Sequence, residues 1–93
     1  MGKSDIDIYR IFPYAIILSG VIILKTRIRD LREDRDLNQT EIANLLNVHQ
    51  STYSDYELEK LDLPIQALPI LAKFYKTSAD YILYLTDNPT PYK

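Results

Sequence analysis

The segment from Asn38 to Glu57 concentrates the side chains of this sequence best suited to recognition chemistry. Amides and hydroxyls dominate it: Asn38, Gln39, Asn44, Asn47, Gln50, Ser51, Thr52 and Ser54, with His49 among them. Such groups carry donors and acceptors together. They have the length to reach base edges in the major groove of a DNA duplex. Catalysis is a poor match for the same inventory. The chain has one histidine and no cysteine. It also lacks a nucleophile–histidine–carboxylate set, a glycine-rich phosphate loop and a metal-ligand cluster. No enzyme activity, metal or cofactor is expected.

Short helices must hold these groups. Ile42, Ala43, Leu46, Val48, Tyr53 and Tyr56 form an inner seam, a spacing that predicts two short helices joined by a tight turn. Ala43 is small enough to let the second helix cross the first closely. Upstream, Ile28 and Leu31, with the stem of Arg35, line a first helix that begins near Lys25 and ends at Leu37. Asn38 is placed as an N-cap, with Glu41 three residues on in a capping box. The second helix is predicted over 39–46 and the third over 50–57. Asn47 takes the sharp turn between them, because Asn tolerates a left-handed backbone. Pro64 suits the first turn of a fourth helix over 64–75, burying Ile65, Leu68, Leu71, Ala72 and Tyr75, with Pro69 removing one backbone bond and kinking it. Ser78 caps a fifth helix over 79–85 that buries Ile82 and Leu85. The chain then divides into an apolar extension over 1–24, a helical domain over 25–86 and a polar, proline-rich tail over 87–93.

Ninety-three residues suffice for one domain. The net charge of −2 supplies no global excess for binding a polyanion, which rests on lysine and arginine. Arg27, Arg29, Arg32 and Arg35 are nevertheless crowded together, interleaved with Asp30, Glu33, Asp34 and Asp36. They serve either as a phosphate-facing cluster or as a self-paired, solvated helix face. The absence of cysteine suits a reducing cytoplasm, which is the expected compartment.

The run Ile11–Leu24 is almost wholly apolar, yet it is shorter than a membrane span and interrupted by Pro13 and Ser19–Gly20. No small-x-small cleavage site follows it. It reads as two short strands around a Ser-Gly turn, or as a single helix packed on the domain. An isolated hairpin is marginal in water, so this segment is expected to self-associate or to dock on its own domain. A true start near Leu24, with the preceding residues as upstream sequence, is the other reading of the break.

Over Lys25 to Thr86 the chain resembles the phage-repressor and Cro-like helix-turn-helix family (Cro/C1 or XRE type). The resemblance lies in Ile28-Arg-Asp-Leu-Arg32, Leu37-Asn-Gln-Thr-Glu-Ile-Ala43, Leu46-Asn-Val48, Ser51-Thr-Tyr-Ser54 and Tyr56-Glu57, continued by Pro64-Ile-Gln-Ala-Leu68 and the segment Leu71 to Leu83. It implies an all-α, five-helix, lambda-repressor-like DNA-binding domain carrying an apolar N-terminal extension (strand pair or helix).

Residue roles follow from the same resemblance. Asn38 and Gln39 lie at the start of the second helix, where Gln39 braces a phosphate beside the helix N-terminus. Gln50 and Ser51, preceded by His49, reach base edges, and a glutamine can pair with adenine through one donor and one acceptor. Thr52 and Ser54 make phosphate or water-mediated contacts. Asp55 touches a base, with a preference for a cytosine amino group, and Lys60 adds a cation beyond the helix. Arg32 and Glu57 form a buried ion pair joining the first and third helices. Plainer roles compete: Gln39 as a helix cap, His49 as a loop or N-cap residue, Asp55 as a solvated charge, Tyr53 and Tyr56 as core. The chain departs from the family at Asn47 and Glu59, where many relatives carry glycine, and at acidic Asp55.

The implied function is a sequence-specific DNA-binding transcriptional regulator, a repressor, with duplex DNA and a second copy of itself as partners and no membrane association. Few base contacts fit on one such domain, so two domains on a pseudo-palindrome with half-sites about 34 Å apart are expected. The alternative is an antitoxin-like interaction module that binds a partner protein and touches DNA secondarily.

Overall fold

The computed structural model describes residues 15–18 and 21–91, with strand residues up to 23 described by their backbone alone. Among them an antiparallel pair, β1 (Ala15–Leu18) and β2 (Val21–Leu24), precedes five helices. These are α1 (Ile28–Asp34), α2 (Gln39–Leu46), α3 (Gln50–Glu57), α4 (Ala67–Tyr75) and α5 (Ala79–Ile82). Within the apolar N-terminal run, residues 15–18 and 21–24 thus take the strand-pair form, in a register that sets Ala15 opposite Leu24 and Leu18 opposite Val21. β-Branched isoleucine and valine favour that choice. The proposed Ser19–Gly20 turn and the polar start of the chain lie outside the described residues. No described helix is long and apolar enough to cross a membrane.

Every helix contributes to one core. Ile28 of α1, Ile42 and Ala43 of α2, Tyr53 of α3, Ala67, Leu71 and Tyr75 of α4 and Ile82 of α5 are buried together. Ala43 of α2, a small residue, is buried in that core. Asn38 caps α2: its side chain accepts the Glu41 N–H at 2.8 Å, while the Glu41 carboxylate accepts the Asn38 N–H at 2.8 Å. Ser78 caps α5 with a single bond, its hydroxyl accepting the Tyr81 N–H at 3.1 Å.

The helix ends share one device. After α2, the Val48 N–H returns to the Ala43 carbonyl at 2.9 Å and the Asn47 N–H to that of Asn44 at 3.1 Å. Equivalent paired bonds close α1, α3, α4 and α5, the Schellman arrangement that satisfies the orphan carbonyls. It needs a left-handed residue, usually glycine. Here the position is held by Asp36, Asn47, Glu59, Lys76 and Tyr84, with φ between 55° and 62°. A Cβ in this region costs energy that glycine avoids, partly offset by glycine's greater freedom when unfolded. Lys76→Gly and Glu59→Gly are each expected to stabilise the domain by up to about 1 kcal/mol, read as a higher midpoint in urea; a lower midpoint would contradict the argument.

Three predicted helices differ from what forms. The first spans Ile28–Asp34 rather than running from near Lys25 to Leu37, because Asp36 turns left-handed beyond it. The fourth begins at Ala67, not at Pro64. Residues 64–68 instead make tight turns, with the Ala67 N–H on the Pro64 carbonyl and the Leu68 N–H on that of Ile65. Pro69 therefore falls in the first helical turn, where its missing N–H has no intrahelical acceptor to lose. Ile65 consequently stands in a turn and is 74% exposed. The fifth helix stops at Ile82, because Tyr84 turns left-handed, and Leu85 is left exposed.

The arginine cluster is mostly not a self-paired face. Arg29 alone bonds along its own helix, to Glu33 at 3.3 Å, between exposed side chains. Arg27 reaches the C-terminal region: it donates to the carbonyls of Tyr81 (2.7 Å) and Thr86 (3.1 Å) and pairs with Asp87 at 2.9 Å. Its guanidinium stacks on the rings of Tyr81 and Tyr84, 4.2 and 4.1 Å from their centroids. Arg35 donates to the Tyr75 carbonyl at 3.0 Å. The tail is held again where the Thr77 hydroxyl donates to the Pro89 carbonyl at 2.7 Å.

Candidate nucleic-acid interface

The site is built where α2 and α3 meet. Gln50 opens α3, with Ser51 beside it, and both side chains are exposed. Thr52, Ser54 and Asp55 are half-buried along the same helix, and Lys60 is exposed just past its end. His49 is the N-cap residue of α3 and exposed, but its side chain caps no backbone N–H. Tyr53 is fully buried, while Tyr56 packs against the core. Their rings meet edge to face, with centroids 6.4 Å apart. Core packing of Tyr53 and Tyr56 leaves Ser51 on the far side of α3, while Gln50, three residues before Tyr53, stands exposed at the first turn of the helix.

Behind this face lies a buried polar cluster. Arg32 of α1 grips Glu57 at the end of α3 with two hydrogen bonds, Nε to Oε2 at 2.7 Å and Nη2 to Oε1 at 3.0 Å. Nη1 donates to the Leu37 carbonyl at 2.9 Å. The side chains are 12% and 3% exposed, respectively. Gln39, the first residue of α2, donates from Nε2 to Glu57 Oε1 at 3.0 Å. Its Oε1 in turn accepts the Gln50 amide N–H. A continuous chain of polar contacts therefore runs from Arg32 through Glu57 and Gln39 to Gln50. It orients the Gln50 amide: one N–H is committed inward, while the other N–H and the carbonyl oxygen keep their capacity for a ligand. Asn38 is exposed next to Gln39, with its side-chain oxygen engaged by the helix cap.

This relay was not legible in the sequence. The family resemblance gives Gln39 a phosphate and Gln50 a base as separate tasks, whereas in the structure their amides also bond each other. The available signal was the pairing of Arg32 with Glu57, which brings the end of α3 to the start of α2.

The electrostatics follow from the burial. Burial alone would raise the Glu57 pKa, but hydrogen bonds from Arg32 and Gln39 and the nearby Tyr53 hydroxyl outweigh it and hold the carboxyl below its ordinary range. The Tyr53 hydroxyl faces that carboxylate short of standard hydrogen-bond geometry. Burial also pushes the Tyr75 hydroxyl up to about 12 and raises that of Tyr53. A carboxylate whose folded pKa is depressed stabilises the fold above its unfolded value and loses that contribution as pH falls through the folded one. Melting temperature is therefore expected to be level above the ordinary glutamate value of 4.5 and to fall below it. In Glu57→Gln the acid-side fall should be shallower, and an identical profile in both proteins would contradict the assignment.

Comparison with known proteins places these elements. The helix-turn-helix family matches residues 28–82, from the start of α1 to the end of α5. Over 65 residues the chain is 42% identical to the uncharacterized HTH-type transcriptional regulator YobD of Bacillus subtilis (strain 168), covering 70% of this chain and 58% of that protein. Over 53 residues it is 43% identical to the cryptic phage CTXphi transcriptional repressor RstR of Vibrio cholerae, covering 57% of this chain and 48% of that one. The chain thus spans about half the length of the curated relatives it matches. No solved structure matches it significantly. With the matched region running across all five described helices and the α2–turn–α3 unit at its centre, the chain belongs to the helix-turn-helix family.

Proposed function

We propose that this protein is a sequence-specific DNA-binding transcriptional regulator, a repressor that binds a two-fold-related operator as a dimer in the cytoplasm. Residues 25–86 are its DNA-binding unit, and α3 enters the major groove. The observation that carries this reading is the exposed Gln50 amide, fixed from behind by Gln39 and the Arg32–Glu57 pair. A pre-oriented amide suits adenine, accepting from N6 and donating to N7. Ser51 reads the neighbouring base edge. Asp55, a turn along α3, accepts from a cytosine amino group, and His49 lies at the edge of the same contact. Phosphate contacts come from the second N–H of the Gln39 amide, from Asn38 at the amino end of α2, from the Thr52 and Ser54 hydroxyls and from Lys60. Neutralisation of Glu57 by Arg32 keeps the buried carboxylate from repelling the DNA backbone. The relatives' printed names, a transcriptional regulator and a transcriptional repressor, support the same reading.

The test is to incubate the protein with sheared genomic DNA and sequence the retained fragments across a salt series. A small set of fragments sharing a two-fold repeat should be enriched, with binding that weakens as salt rises. Retention that mirrors the input at every salt concentration would sink the proposal.

A further inference from the structure

We propose that the β1–β2 hairpin and the apolar groove beside it form the interface with a second copy of this chain. The inference deepens the DNA-regulator reading, on which it rests only for its biological purpose. The groove is lined by Leu24, Leu63, Ile65, Leu68 and Leu83, with Thr26 and Asp62 as its polar members. Its volume of about 230 Å³ is below the roughly 300–1,000 Å³ of small-molecule sites, and suits one or two protein side chains. Ile65 projects beside it 74% exposed, an apolar surface that the monomer leaves in water.

The hairpin supplies the rest of the surface. The strand sequences AIIL and VIIL contain no polar residue. Among the described residues each strand has a single neighbour, so each presents an outer edge of backbone donors and acceptors. A hairpin of this length is marginal alone. A strand edge is complementary to a copy of itself run antiparallel about a two-fold axis, which is how an isologous dimer closes. Leu24 ends β2 and lines the groove as well, so the strand pair adjoins the groove. A stable interface buries about 800 Å² per partner, more than so small a groove offers, which requires the hairpin to take part. Gln50 and Ser51 do not line this groove.

Sedimentation analysis of the full chain without DNA tests the proposal. The wild type should run at twice the 10.9 kDa of one chain. Ile65→Asp, at an exposed position that the fold does not need, and Ile17→Lys, in β1, should each weaken the dimer by about tenfold or more. Their α-helical circular dichroism should be unchanged. A monomeric wild type, whether its own N-terminal residues cover the groove or another protein fills it, would overturn the proposal. So would an unaltered dimerisation constant in both variants. A dimer that enriches no DNA would leave the interface standing and remove the regulator reading, whereas a monomer that still selects a half-site would do the reverse.

Discussion

Arg32→Leu is expected to destabilise the domain by about 3–5 kcal/mol, because it strands the Glu57 carboxylate in the interior. Glu57 is 3% exposed and receives two of its hydrogen bonds from Arg32. In a domain of this size each kcal/mol moves the melting temperature by about 4–8 °C, so the midpoint should drop by at least about 12 °C. Replacing both partners with leucine strands no charge, and a large part of the loss should be recovered. Arg32→Lys should fall between, since an ammonium cannot span both carboxylate oxygens and the Leu37 carbonyl as the guanidinium fork does. Thermal melts of the four proteins check the series, and a midpoint for Arg32→Leu within a few degrees of wild type would remove the pair from its structural role.

The second large effect concerns recognition. Gln50→Ala should cost about 1–3 kcal/mol of base discrimination at each half-site. Over the two half-sites of a dimer, that is a loss of at least about thirtyfold in operator affinity. Binding to unrelated duplex should hardly change, because phosphate contacts dominate it. Competition titrations with specific and random duplex separate the two terms. Gln39 holds the Gln50 amide from behind and is a positioning residue for that contact. Gln39→Ala should therefore lower discrimination by less than Gln50→Ala. Discrimination in the double variant should equal that of Gln50→Ala alone, the coupling expected when one residue acts through another. Equal losses at operator and random sequence would assign Gln50 to the phosphate backbone instead.

Local chemistry made much of this fold legible in the sequence. The capping box of Asn38 and Glu41 starts α2, Asn47 closes it with a left-handed turn, and the resulting spans of α2 and α3 are those predicted. These signals act within a few residues, so the sequence exposes them directly. The start of the fourth helix is not legible, because Pro64 is compatible with a helix start and equally with the tight turn that forms at 64–68. Ile65 and Leu85 read as core residues for a related reason: their helical periodicity runs on past ends that backbone geometry sets at 67 and 82. Contacts between distant residues were the least legible. Arg27 to Asp87, Arg35 to Tyr75 and Gln39 to Gln50 depend on how the helices cross, and no spacing rule along the chain encodes them. The arginines looked like one cluster because they are near in sequence, yet three of the four are spent on different parts of the domain.

The most direct measurement is selection of bound duplexes from a random pool, run in parallel with the wild-type chain and Gln50→Ala. The wild type should enrich a two-fold-symmetric consensus whose half-sites lie about 34 Å apart, or a multiple of it, with an adenine contacted in each half. Gln50→Ala should lose the preference at that base while retaining the others. A wild-type pool with no enriched sequence, or a consensus that Gln50→Ala reproduces at every position, would contradict the assignment of α3 as the reading element.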